Sequence, residues 1–417
     1  MAHEEWQPLP GMADISAPEV YLWQRIETIA REVFARYGLT EVRTPLLERA
    51  SLFRRAIGDA TDIVQKEMYL LEDRGGREMA LRPEGTAGVI RHAAGLGPGS
   101  AEARLYYLGP MFRAERPQAG RRRQFHQIGV ELLGPASPAS DAECIALLAD
   151  LLHAVGLNGF ALRVNTRGGP ADIPAVSAGM RAALSAVESR LCEDCRRRMV
   201  TNPLRVLDCK QPACRAVVEE LPPITDFMAE ASRRYFETVC RLLERLAIPF
   251  TPDRQLVRGL DYYAHSVWEI THPALGAQDA VAGGGRYGLP MGESVIEGVG
   301  FAIGMERLVM ALQASGVRPD ERVARPRVWL VAADAAQLED LLVLLQTLRR
   351  HGIAARMDLG GRSLKAQMRA AHRSGATWAV IRGEAEAARG VYLLKRMDTG
   401  AQEPVALDEL MRRLTAS

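Results

Sequence analysis

No run of apolar residues in this chain approaches the roughly 18 that a membrane-spanning helix needs. The opening segment, MAHEEWQPLPGMADIS, has no basic start followed by an apolar stretch, so it does not read as a secretory signal. Together these absences predict a cytoplasmic protein that spans no membrane. Net charge is nearly absent too: +2 over 417 residues is too little to argue for nucleic acid by itself. There is no internal repeat and no low-complexity tract. With 47% hydrophobic and 25% charged residues, the composition is that of an ordinary globular chain, long enough for two or three domains.

Cysteine is scarce except in one place. Of six cysteines, four cluster as Cys192, Cys195, Cys209 and Cys214, spaced C-x2-C, thirteen residues, then C-x4-C. Four thiolates at such spacings could hold a tetrahedral zinc. Reduced thiols in a small helical hairpin are the alternative, since cytosolic chains rarely keep disulfides. The sequence leaves the two open, and no metal ligand is assigned. Cys144 and Cys240 sit in apolar helical stretches and read as packing residues.

Most informative is YYLGPMFRAERPQAGRRRQFHQIGVELLG, residues 106–134. It reads as two strands around a loop broken by Pro117, Ala119 and Gly120. The loop carries Arg113, Arg116, Arg121, Arg122 and Arg123, with Glu115 among them. An arginine-loaded hairpin on a rigid floor suits a polyanion, because the guanidinium bonds phosphate oxygens bidentately and keeps its charge. The polyanion could be a nucleotide triphosphate, a nucleic acid, or both.

Around it, apolar spacing predicts a helix over 17–38 and strands over 63–71 and 78–82. PEGTAGVIRHAA opens a helix at Pro83, and another spans 140–155 with Ser140 or Asp141 as its cap. Residues 168–222 read as a helical insertion, and 317–326 as a linker stiffened by Pro319 and Pro326. Before the linker the pattern is antiparallel hairpins with peripheral helices. After it, strands alternate with helices, which predicts a small parallel or mixed α/β domain.

Three further segments are chemically suggestive. GGGRYG at 283–288 lacks the pattern of a phosphate loop, so its glycines mark either close approach of a ligand or a bend. RGLDYY at 258–263 reads as a strand start offering Arg258 to an anion and tyrosines to a polar ligand; a surface ion pair and core tyrosines are the alternative. GVGFAIGMERLVMAL at 298–312 turns a glycine-rich strand into a helix, and Arg307 in its first turns hints at an anionic partner. EGTA at 84–87, with Gln127 and Glu131, supplies groups that a cationic ligand requires.

In this order the motifs resemble those of a class II aminoacyl-tRNA synthetase, and within that class the histidyl-tRNA synthetase family. LRPEGTA, FRAERPQAGRRRQFHQ, RGLDYY and GFAIGMERL carry the resemblance. NPLRVLDCK is similar to the family's insertion, and DLGGRSLKAQMRAA to its anticodon-binding domain. The resemblance implies an α+β catalytic domain over 1–322 on a mixed, mostly antiparallel sheet. A helical insertion (168–222) interrupts it, and a small α/β anticodon-binding domain (326–417) follows.

The resemblance also implies ATP-dependent activation of L-histidine and its transfer to tRNA(His), by a homodimer joined through residues 17–50, with Mg2+ on the phosphates. It gives Arg113 and Arg258 the catalytic roles. Arg113, Glu115, Arg121, Phe125 and Arg307 would bind ATP. Glu84, Thr86, Gln127, Glu131, Arg258, Tyr262, Tyr263 and Tyr287 would bind histidine. Arg116 and Gln118 would face the tRNA acceptor end, and Arg196 to Arg198 the acceptor stem. One departure is visible: the Asp that the family carries after Tyr287 is missing, and the segment around it is short.

A second reading is a catalytically silent paralogue acting as the histidine-sensing regulatory subunit of ATP phosphoribosyltransferase. Such a chain is expected to lose the C-terminal domain and erode the ATP clamp. This one keeps Arg113, Glu115, Arg121, Arg258 and Arg307 together with residues 326–417. A zinc-dependent nucleic-acid-binding module rests only on the four cysteines.

Overall fold

A computed structural model describes residues 6–415, apart from residue 60, residues 97–101, residue 119, residues 260–261, 277–278, 292–293 and 321–324. The chain separates into two compact units, residues 1–319 and 320–417.

The first unit begins with helix α1 (Glu19–Arg36), whose Leu22, Trp23, Ile26, Ala30, Val33 and Phe34 form one buried stripe. Gly38, at φ +69°, turns the chain out of the helix. Next come β1 (Thr40–Glu41), β2 (Leu47–Arg49) and α2 (Ala50–Ile57), then β3 (Leu70–Glu72), β4 (Glu78–Leu81) and α3 (Thr86–Gly95). The arginine hairpin is β5 (Arg104–Phe112) and β6 (Gln124–Leu133), and α4 (Pro138–Val155) and β7 (Ala161–Thr166) follow it. An excursion of helices α5 (Ile173–Ser185), α6 (Glu193–Thr201) and α7 (Pro212–Glu220) leads to α8 (Glu230–Arg245) and β8 (Thr251–Pro252). β9 (Tyr263–Thr271), β10 (Ala280–Met291), β11 (Ser294–Gly304) and α9 (Met305–Ala314) complete the unit.

Eight of these strands form one sheet in the order β1-β5-β6-β11-β10-β9-β7-β8. Pairing is antiparallel except at the two ends, where β1 joins β5 and β7 joins β8 in parallel. Both faces are covered. On one, α1, α4, α8 and α9 bury Phe34, Ile145, Leu148, Leu243 and Leu308 against Trp268 and Phe301. On the other, α2 and α3 bury Phe53, Ile57 and Ile90 against Met111, Val267 and Leu289. The second core merges with a group of tyrosines, Tyr107, Tyr263 and Tyr287. β2, β4 and β3 make a separate small sheet. The helical excursion packs on its own core of Val176, Met180, Leu184, Val206 and Val217 with three of the cysteines.

The second unit is a five-stranded sheet in the order β13-β12-β14-β15-β16. Its elements are β12 (Val328–Ala332), α10 (Leu338–Arg350), β13 (Ala355–Met357), α11 (Leu364–Arg373), β14 (Trp378–Arg382), α12 (Glu384–Ala388), β15 (Val391–Arg396), β16 (Gln402–Ala406) and α13 (Leu407–Thr415). β13, β12 and β14 are parallel and the rest antiparallel, so the domain is mixed.

Three expectations need correction. The strand expected over 63–71 is limited to Leu70–Glu72, because Ile63–Glu67 coils into one wide helical turn that buries Ile63. The cap of α4 is Ser137, followed by Pro138 at the first helical position. Ser140 and Asp141 face inward instead, toward Arg286. Finally, β9 begins at Tyr263, so Arg258 precedes the strand; Leu260 and Asp261 of that motif lie outside the described residues.

Candidate active site

Where the tyrosines meet the sheet, a cavity of about 140 Å³ opens. Its floor is set by strand register. Tyr263 pairs with Tyr287, Tyr287 with Gly298, and Gly300 with Glu131, so β9, β10, β11 and β6 present their side chains side by side. Glycines make the room. A Cβ at Gly300 would lie 2.1 Å from Glu131 Oε2, and one at Gly129 would lie 2.1 Å from the Tyr107 ring.

Glu131 is buried at the centre of this network. Thr86 Oγ1 donates to Glu131 Oε1 at 2.7 Å, and the Tyr287 hydroxyl donates to Glu131 Oε2 at 2.7 Å. Burial, reinforced by nearby Glu84, pushes the Glu131 carboxyl up to about 8 despite those two donors. Glu84 is buried as well and caps α3, accepting from the Thr86 and Ala87 backbone N–H groups at 2.7 and 2.9 Å. Burial raises it too. Tyr107, Tyr262 and Tyr287 are pushed far up by burial, so they act as neutral hydrogen-bonding groups.

A second, wider cavity of about 310 Å³ adjoins the first and holds Arg113, Glu115, Arg121, Phe125 and Arg307. The Arg113 guanidinium lies 5.2 Å from the centre of the Phe125 ring, and its Nε donates to Pro83 O at 2.9 Å. Arg121 Nη1 lies 3.3 Å from Glu115 Oε2. Burial and the like charge of Arg121 push Arg307 below the ordinary arginine value. Arg113, Arg121, Arg122, Arg258 and Arg307 together line this concave space, and guanidiniums so gathered make a strong attraction for an anion.

The two cavities share Arg113, Gln127, Arg258, Gly283 and Ala302. Arg258 reaches the junction by crossing β10 at Gly283, where a Cβ would stand 2.3 Å from its Nη2. Glu269 Oε2 accepts from its Nη1 at 2.7 Å. Arg258 Nε and Gln127 Oε1 are buried with no hydrogen-bond partner among the described residues. Buried orphans of this kind at a cavity wall are ready for a ligand.

All the residues singled out for histidine line the first cavity, and all those singled out for ATP line the second. Arg116 and Gln118 lie in neither; both are exposed at the hairpin loop. The three glycines of GGGRYG make space for Arg258, Trp268 and Tyr263, and the pairing of β10 with β9 also shifts register between Gly285 and Arg286.

Three participants were missed. Tyr107 looks in sequence like any apolar strand position, but Gly129 opposite it in the ladder is what admits its ring. Glu269 carries the only charge in the strand YAHSVWEIT, which was the available signal. Glu306, in the first turn of α9, has the type and place of a residue that merely complements the helix dipole. It accepts instead from the His126 backbone N–H at 3.0 and 3.1 Å, tying α9 to the hairpin.

A sheet flanked by helices, with an arginine hairpin over a polyanion pocket that opens into an amino-acid-sized one, defines a class II aminoacyl-tRNA synthetase. Residues 11–308 match the family model described as histidyl-tRNA synthetase, and residues 327–417 match one described as an anticodon-binding domain. The histidine–tRNA ligase of Anaeromyxobacter sp. strain K is 47% identical over 97% of this chain and 98% of its own length. That of Synechococcus sp. strain JA-3-3Ab is 45% identical over 98% and 99%. The crystal structure of apo S. aureus histidyl-tRNA synthetase superposes with a TM-score of 0.81 at 33% identity, covering 98% of this chain and 99% of that one. The chain belongs to the histidyl-tRNA synthetase family and is a histidine–tRNA ligase.

Proposed function

We propose that the paired cavities carry out both steps of histidine attachment to tRNA(His), with Arg258 and Arg113 as the catalytic residues. Their position at the junction of an amino-acid pocket and a nucleotide pocket carries the proposal. In the first step a histidine carboxylate oxygen bonds to the α-phosphorus of ATP, the bond to the β-phosphate oxygen breaks, and pyrophosphate leaves. Arg258 stands between the two anions and lowers their repulsion; Arg113 holds the α-phosphate as its charge grows. Arg121 and Arg307 clamp the outer phosphates, Phe125 stacks on adenine, and Glu115 accepts from the adenine amino group. In the second step a terminal ribose hydroxyl of the tRNA attacks the histidyl carbonyl, and AMP leaves.

Glu84, Thr86 and Gln127 bind the substrate ammonium. Glu131, with Tyr262, Tyr263 and Tyr287, reads the imidazole. A site that pairs both ring nitrogens rejects apolar analogues, because its own buried polar groups would be left unpaired. Mg2+ fits the nucleotide end, where Glu269 and Glu67 offer hard carboxylate oxygens on the wall. Bound there, it would neutralise phosphate charge.

Arg116 and Gln118 at the exposed tip face the tRNA acceptor end, Arg196 to Arg198 of α6 its stem, and residues 326–417 its anticodon. The working form is a cytoplasmic homodimer. An apolar face of the small sheet supports the dimer: Leu47 and Leu71 are exposed beside Leu81 and Met79, their ladder partners. No helix among the described residues is long and apolar enough to cross a membrane.

Charging of bulk tRNA with labelled histidine tests the reading. Wild-type chain should load histidine, and Arg116→Glu should load it poorly while still forming adenylate. Wild type that makes adenylate but loads no tRNA would refute the second step.

A further inference from the structure

Four cysteines from three separate pieces of chain converge inside the helical insertion. Cys192 stands at the start of α6 and Cys195 in its first turn. Cys209 follows the short turn Pro203–Val206, and Cys214 lies in the first turn of α7. Their sulfurs all lie within 4.8 Å of one another. Cys192 Sγ and Cys209 Sγ are 4.0 Å apart, about twice a disulfide bond length, and all four thiols are free. A tetrahedral ion with metal–sulfur bonds near 2.3 Å would set its ligand sulfurs roughly 3.8 Å apart. The observed arrangement needs only a slight contraction to meet that geometry.

We propose that Cys192, Cys195, Cys209 and Cys214 bind one structural zinc ion as a tetrathiolate. Packing alone does not explain the cluster. An apolar core is satisfied by the valines and leucines around it and gains little from sulfur facing sulfur. The surroundings fit a thiolate set instead. The Cys192 backbone N–H donates to Cys214 Sγ at 3.2 Å. The N-termini of α6 and α7 both open onto the sulfurs, and helix N-termini favour negative charge. Four protein ligands leave no open position, so the ion is structural rather than catalytic. It would fasten α6, α7 and the Pro203–Val206 turn to one point, holding Arg196 to Arg198 in place.

The experiment is metal analysis of the full chain purified without chelators or metal columns. One zinc per chain is expected, and Cys195→Ser/Cys214→Ser should lose it while Cys240→Ser keeps it. Cobalt added to chelator-stripped wild type should give the intense visible bands of a tetrahedral thiolate complex. Wild type that carries no zinc and gives no such bands would overturn the proposal. So would two disulfides in the purified chain, or zinc retained by the double variant.

Discussion

Arg258 lines both cavities. Arg258→Ala should slow histidine activation by roughly 10²–10³, the usual effect of removing one partner of transition-state charge. Single-turnover adenylate formation measures it, and a loss below about tenfold would assign Arg258 to structure. Glu131 supplies a pH signature. Its carboxyl is pushed from the usual 4.5 up to about 8 by burial, so the folded chain holds a proton that the unfolded chain has released across that window. Stability from this group is present below about 4.5 and is lost as pH rises through about 8. The thermal midpoint of Glu131→Gln should therefore gain on wild type as pH rises across the window, and a gap independent of pH would contradict it. At this scale the sequence was informative wherever a motif named the residue. It was silent on Tyr107 and Glu269, whose roles come from strand register and from the reach of Arg258.

Among the elements, one buried ion pair fastens sheet to helix. Arg286 on β10 donates from Nε to Asp141 Oδ1 on α4 at 2.6 Å, and Tyr235 on α8 donates to Asp141 Oδ2 at 3.0 Å. Asp141→Asn should cost about 3–5 kcal/mol in denaturant unfolding, because it leaves a buried guanidinium without its counter-charge. Asp141→Leu/Arg286→Met should cost less than that single change. Equal or larger loss in the double variant would contradict the argument. This pair also explains a misplaced boundary. Ser140 and Asp141 look like cap residues by type, but tertiary contacts turn both inward and Ser137 takes the cap. Helix α1 was legible because its apolar spacing is long and regular. The segment 63–71 was not, because an apolar run that short cannot tell a strand from one helical turn.

For the whole molecule, the fold class was legible in outline: a mixed, mostly antiparallel sheet with helices, then a small α/β domain, since the change from antiparallel hairpins to strand–helix alternation is visible in sequence. How strands distant in the chain come to lie side by side was not, because pairing depends on contacts that local pattern does not encode. Dimer formation belongs to this scale. Leu47→Glu should shift sedimentation toward monomer and lower activation with it, whereas an unchanged dimer would place the interface elsewhere. The most direct test of histidine activation is ATP–pyrophosphate exchange with each of the twenty amino acids offered singly. Exchange with histidine alone is expected. Exchange with another amino acid, or none despite measurable histidine binding, would contradict it; the second outcome would instead favour a histidine-sensing regulatory role.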